Sequence, residues 1–232
     1  MIFDGDDTLW LTEQIYHHAR SAAAEIAASD GVDRATFEGR QREVDVVNVK
    51  RLGLSRQRFP TSSREAYEAL CRENHRTPSP EIGDAICRAS SQVFSHPAAV
   101  VPEAEVVLAD LQGEFGLALL TKGDPDVQRQ RVVESGLASY FSVIEIVADK
   151  DERSFRELLK RMNGHPAEAW SVGNSLPSDI QPALAIGMRG VWIDVDVWLH
   201  ERRPTEIADS QDLFRATDLA AARELLRGGR PR

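Results

Sequence analysis

Two hydrophobic rhythms divide the chain. From about Thr12 to Ser95, apolar residues return every three or four positions through "EQIYHHARSAAAEIAAS", "ATFEGRQREVDVVNVKRLG", "SSREAYEALCREN" and "PEIGDAICRASSQVFS". That is the spacing of amphipathic helices. Gly53 and "RTPSP" punctuate the run, and Thr61, Ser62 and Ser63 offer hydroxyls to cap the helix that follows them. After Pro97 the rhythm changes. Short apolar runs, "FGLALLT", "SVIEIV", "AWSVGN" and "GVWIDV", alternate with the helical stretches "EAEVVLADLQ", "PDVQRQRVVESGL", "SFRELLKRM" and "SDIQPALAIG". Strands alternating with helices predict βαβ units on a parallel sheet. The opening "MIF" reads as the end of one further strand, clipped well short of the usual length of about five or six residues.

The fold class expected is therefore α/β. A Rossmann-like parallel sheet core is built from residues 1–11 and 97–232, and an all-helical domain, residues 12–96, is inserted into it. A chain of 232 residues is long enough for one large core with a smaller satellite. The tail "RGGRPR" is expected to fray.

Composition narrows the classes. A formal net charge of -9 argues against a general grip on nucleic acid, which needs a basic face. No stretch approaches the roughly 18 apolar residues of a membrane span, and the start carries no basic, signal-like region. Cys71 and Cys87 are too few for a disulfide framework and stand in no zinc-binding spacing. A reduced, cytoplasmic setting is expected, with no nucleic-acid or membrane partner.

The chemistry should lie where strands end, because ligands of open parallel sheets gather at the carboxyl edge. Asp4, Asp6 and Thr8 follow the first strand, and Thr121, Lys122, Gly123 and Asp124 follow "FGLALL". Asp149 and Lys150 follow "SVIEIV"; Gly173, Asn174, Ser175 and then Asp179 follow "AWSV". Crowded carboxylates repel, so a positive group is expected among them. Each residue alone has a plainer reading. Asp4 and Asp6 would suit a solvated turn, Thr121 a helix cap and Asp179 a helix-start acid, while Lys160 and Lys122 rival Lys150. Asp7 should face solvent or cap the next segment, and Thr8 should orient the loop. His17 and His18 point about 100° apart on a helix, which is poor geometry for a shared metal. Trp10, Trp170, Trp192 and Trp198 suit packing. The basic cluster Lys50, Arg51, Arg56, Arg58 and Arg64 suits a solvated face, or else meets an anionic substrate.

Taken together, these motifs resemble those of the haloacid dehalogenase-like (HAD) hydrolase superfamily. "DGDDT" is similar to its Asp-x-Asp-x-Thr motif, Thr121 closes an apolar strand as in its second motif, Lys150 fits the third, and "GNSLPSD" is similar to the fourth. The helical insert resembles the family's C1-type cap. The resemblance implies a phosphatase acting on a small phosphorylated metabolite with Mg2+ as cofactor. It implies Asp4 as nucleophile and Asp6 as general acid and base. Thr121 and Lys150 would hold the phosphoryl group, with Lys122 adding charge nearby. Asp4, Asp6, Asp179 and Asn174 would be the metal's ligands. Asn174 departs from the pattern, since the family carries an acid there, and weaker metal affinity is expected. Lys122 departs too, standing where many relatives have Asn.

The chemistry fits these residue types. A carboxylate attacking a phosphate dianion meets like-charge repulsion, which a hard cation and a lysine offset. Asp6 speaks against carbon–halogen chemistry, since dehalogenases of the superfamily lack that aspartate. A phosphomutase, which forms the same aspartyl-phosphate, stays open, as does a non-catalytic regulatory or binding member. A receiver domain fits less well, because it has no helical insert.

Overall fold

A computed structural model of the chain describes residues 1–195, 198–202 and 210–228. Its backbone gathers into two units, one of Met1–Thr12 with Ala98–Arg232 and one of Glu13–Pro97. From residue 229 on, the tail expected to fray lies outside the described residues.

The strands are β1 (Ile2–Phe3), β2 (Trp10–Leu11), β3 (Ala99–Val100), β4 (Ala118–Lys122), β5 (Val143–Val147), β6 (Trp170–Gly173), β7 (Arg189–Ile193) and β8 (Leu213–Ala216). The helices are α1 (Glu13–Ser29), α2 (Arg34–Leu52), α3 (Arg58–Glu73), α4 (Pro80–Ser91), α5 (Ala104–Gln112), α6 (Pro125–Ser135), α7 (Glu152–Arg161), α8 (Gln181–Ala185) and α9 (Leu219–Gly228).

Six strands form one parallel sheet in the order β5-β4-β1-β6-β7-β8. The two-residue β1 sits between β4 and β6, with Phe3 opposite Leu119 on one side and Val172 on the other. Alternation along the strands splits the core in two. Phe3, Leu119 and Val172 pack with Leu108 and Leu111 of α5 and Leu226 of α9. Ile2, Ala118 and Leu120 turn the other way, onto Phe155, Leu158 and Leu159 of α7 and Ala183 of α8. Because β4 and β6 flank β1 on opposite sides, the chain reverses its direction of travel across the sheet at β1. Such a switch point opens a crevice at the carboxyl edge.

Three features of this unit differ from expectation. β2 and β3 pair as a small antiparallel ribbon, and β8 and α9 extend the sheet beyond "GVWIDV". "SDIQPALAIG" is not one continuous α-helix: Leu176–Ile180 form a π turn, and the short α8 follows.

The helical unit packs α1 to α4 around Ala23, Ala27, Phe37, Ala66, Tyr67, Leu70 and Ile86. Its third helix starts at Arg58, upstream of the hydroxyls that were expected to cap it. Ser62 and Ser63 lie inside α3 and donate back to the carbonyls of Arg58 and Phe59, at 2.7 and 3.0 Å. A hydroxyl that can bond the preceding turn is compatible with a helix interior, and here that option wins over capping.

Candidate active site

The chain leaves β1 in a tight loop. The Gly5 carbonyl accepts from the amides of Thr8, Leu9 and Trp10, the Leu9 contact being 2.8 Å. Glycine is required at this position: a Cβ on Gly5 would fall 2.4 Å from the Trp10 ring. Asp7 takes the left-handed conformation at φ 59° and caps the next segment, accepting from the Thr12 amide at 2.8 Å and hydroxyl at 2.7 Å.

Asp4 stands first in this loop and is buried. Its Oδ2 accepts from the Thr8 hydroxyl at 2.9 Å, and its Oδ1 accepts from Lys150 Nζ at 2.5 Å. Lys150 lies between β5 and α7, just before Asp151, which caps α7 in a reciprocal box with Ser154. The same ammonium donates to Asp179 Oδ1 at 2.6 Å. Asp179 lies in the π turn after β6, and its Oδ2 accepts from the Ser175 amide at 2.9 Å. Gly173 makes room for this carboxylate: a Cβ there would fall 2.4 Å from Asp179 Oδ2.

Residues 146 and 29 positions apart from Lys150 thus meet at one nitrogen. Burial and the Asp179 charge push the Asp4 carboxyl up to about 7, against the pull of Lys150. Burial alone would lower the Lys150 ammonium, but Asp179 and Asp4 outweigh it and hold its pKa above the ordinary lysine value. Of the rival lysines, Lys150 is the one that contacts Asp4.

Thr121, the last residue but one of β4, is buried, with its hydroxyl donating to Gln128 Oε1 at 3.0 Å. Lys122 follows, and its ammonium donates to Ser178 Oγ at 2.6 Å and to Glu201 Oε1 at 2.7 Å. Glu201, on a 3-10 turn after β7, also accepts from the hydroxyls of Ser175 and Ser178. Burial would raise this carboxyl; Lys122 and the two serines outweigh it and hold it at about 2. The extra positive charge expected from Lys122 is therefore matched by a carboxylate of the chain itself. Asn174 is buried after β6, and its backbone carbonyl accepts from Trp192 Nε1 at 3.0 Å.

Asp6 is partly exposed and is held by three side chains. Trp10 Nε1 donates to Oδ1 at 2.6 Å, while Gln128 Nε2 and Arg131 Nη1 donate to Oδ2 at 2.9 and 2.7 Å. Both α6 residues escaped the sequence reading. A polar pair three positions apart shares one helix face, but Asp126 and Arg129 of α6 have the same spacing, so the pattern did not single them out.

The remaining candidates are dispersed. His17 and His18 are exposed on α1. Arg58 is buried and paired with Asp45, so it does not belong to a solvated basic face; Arg51 pairs with Glu65 and Arg64 with Asp84. Trp10 and Trp170 are buried, whereas Trp192 and Trp198 are partly exposed. Both cysteines are free thiols. Among the described residues, no helix is long and apolar enough to cross a membrane.

The donor set suits the divalent cation that the resemblance implies. Two buried carboxylates, Asp4 and Asp179, share one ammonium, which leaves an excess negative charge among hard oxygen donors. Mg2+ favours one or two carboxylates with retained waters over an all-protein cage. Among the described residues, no group of three or more His, Cys, Asp or Glu side chains is gathered as a metal cluster.

Comparison with known proteins follows the same lines. Over 160 residues the chain is 34% identical to phosphoserine phosphatase of Thermus thermophilus; the alignment takes in 66% of this chain and 54% of that protein. The chain thus spans about half the length of this relative. It is 26% identical over 229 residues to ribulose-1,5-bisphosphate 5-phosphatase of Halopiger xanaduensis, across 94% of this chain and 92% of that one. A solved haloacid dehalogenase-like family hydrolase from Xanthomonas campestris superposes with a TM-score of 0.81 at 25% identity, over 98% of this chain and 93% of the other. The family model for haloacid dehalogenase-like hydrolases matches residues 1–187, most of the length, and to that family this chain belongs.

Proposed function

We propose that this chain is a Mg2+-dependent phosphatase that hydrolyses a small phosphate monoester through an aspartyl-phosphate on Asp4. The observation that carries the reading is the Lys150 ammonium bonded at once to Asp4 and Asp179, a buried centre where positive charge already offsets crowded carboxylates. Relatives named as phosphatases of phosphoserine and of a sugar bisphosphate support the reaction class.

In this mechanism an Asp4 oxygen attacks phosphorus and the ester P–O bond breaks. Asp6 gives the departing alkoxide a proton, then takes one from the water that attacks the phosphorus of the aspartyl-phosphate, so that the Asp4 O–P bond breaks, inorganic phosphate leaves and the Asp4 carboxylate is restored. Thr121 and Lys150 hold phosphoryl oxygens, and Thr8 and Lys150 keep Asp4 from rotating away. Asp4 and Asp179, with Asn174 and the Asp6 main chain, would hold Mg2+, which would supply charge neutralisation. Residues 13–97 are the helical cap in this reading, and the setting is the cytoplasm.

The test is a panel of phosphate monoesters assayed for phosphate release with Mg2+ and with EDTA. We expect turnover that is lost with EDTA and falls by roughly a thousandfold or more in Asp4→Asn. Equal turnover by the variant would remove Asp4 as nucleophile. Isomerisation of a sugar phosphate without release would favour a mutase, and inertness toward all esters a binding role.

A further inference from the structure

We propose that Gln128 and Arg131 of α6 are positioning residues for Asp6, and that Gln128 ties the placement of Asp6 to what occupies Thr121. The assignment rests on the phosphatase reading and goes beyond it, because neither residue belongs to the strand-end motifs.

The geometry is specific. Arg131 Nη1 and Gln128 Nε2 converge on one oxygen of Asp6, Oδ2, while Trp10 holds the other. Gln128 and Arg131 are both buried while Asp6 is partly exposed, and hydrogen bonds to a carboxylate are stronger than neutral ones. They leave Asp6 little freedom to rotate. An acid–base group works only when its oxygen lies within hydrogen-bond reach of the atom it serves, so its aim matters as much as its identity.

Gln128 also faces the phosphate side. Its Nε2 donates to the Lys122 carbonyl at 3.1 Å as well as to Asp6, and its Oε1 accepts the Thr121 hydroxyl proton. Threonine has one such proton. A phosphoryl oxygen that takes it leaves the buried Gln128 Oε1 without a donor, an unfavourable state for a buried acceptor. The amide relieves that loss by shifting, and a shift of the amide moves the group that aims Asp6. Arrival of the phosphoryl group at Thr121 is thereby felt at Asp6 through one side chain.

The experiment compares an alkyl phosphate, whose leaving group needs a proton, with p-nitrophenyl phosphate, whose leaving group does not. Native protein, Gln128→Met, Arg131→Met and the conservative Arg131→Lys are assayed with Mg2+, with melting curves to establish folding. In the Met variants we expect kcat/KM to fall about tenfold or more for the alkyl ester and less than about threefold for the aryl ester. We also expect an initial burst of p-nitrophenol as the aspartyl-phosphate accumulates, and partial recovery in Arg131→Lys. An equal fall for both esters without a burst, or no change in folded variants, overturns the assignment and leaves the phosphatase reading standing. Absence of phosphate release by native protein overturns both.

Discussion

In the α/β unit the buried carboxylates stand in turns that follow strands, whereas in the helical unit buried polar groups line one face of α2. The inward residues of α2 are Phe37, Gln41, Asp45 and Asn48, spaced as one helical stripe yet mostly polar. Arg20 of α1 donates to Gln41 at 2.8 Å, Arg58 of α3 donates to Asp45, and Asn48 donates to Ser62 at 3.1 Å. Within this stripe Gln41 Nε2 and Asp45 Oδ1 have no hydrogen-bond partner. At the strand ends, by contrast, each oxygen of Asp4, Asp6 and Asp179 has a named donor. Buried charge that must take part in a reaction has to be aimed and compensated in advance. Buried charge that only joins helices tolerates looser satisfaction, and apolar groups can replace it.

The sharpest way to break this comparison is Lys150→Met. It leaves Asp4 and Asp179 facing each other without their shared cation, and we expect phosphate release to collapse by roughly a thousandfold. Stability should fall by about 3–5 kcal/mol, and added Mg2+ should recover part of it. Urea melts with and without the ion measure both effects; an unchanged melt would mean the centre is not under charge stress. In the helical unit, Arg58→Met alone should cost about 3–5 kcal/mol, and adding Asp45→Leu should recover most of that loss. Phosphate release should change little in the double variant. A double variant as unstable as the single one would show that the α2 stripe is as exacting as the strand ends.

Glu201 gives a pH test of intermediate size. Its carboxyl is held at about 2, below the ordinary 4.5, so the unfolded chain binds the proton more readily. The resulting stability is present above about pH 4.5 and is lost as the pH falls toward 2. We expect Glu201→Gln to remove on the order of 2–3 kcal/mol at pH 7 and to flatten the acid limb of the melting profile. An unaltered profile would rule out the pairing with Lys122. Smallest should be Thr8→Val, which deletes one hydrogen bond to Asp4. About 1 kcal/mol of stability and a modest part of the turnover should go with it.

Much of this architecture is legible in the sequence, for reasons that particular residues make plain. β4 opens on the apolar run Ala118 to Leu120 because both its faces are covered, and Thr121 and Lys122 close it with polar groups. α7 is legible in the apolar spacing of Phe155, Leu158 and Leu159 within "SFRELLKRM". Asp4, Lys150 and Asp179 could be brought together on paper because each lies in the loop or turn that leaves a strand of the same parallel sheet. Gln128, Arg131 and Glu201 could not. They reach the site through the packing of α6 and of a turn after β7, and nothing in local composition separates them from the polar residues beside them. β2 and β3 are two residues each, too short to carry a period. The hydroxyls of Thr61 to Ser63 give a true capping signal in the wrong place, because α3 begins earlier at Arg58.

Gly173 carries a consequence of its own. The space that a methyl group would fill at this position is already taken by the Asp179 carboxylate, and the glycine's φ is not in the left-handed region, so the backbone alone would accept alanine. The conflict is thus one of bulk between the last residue of β6 and a side chain of the turn that follows it. A single added carbon would act as a wedge, prising the acid from its lysine while leaving the strand free to form, and so would separate assembly of the scaffold from assembly of the reactive centre.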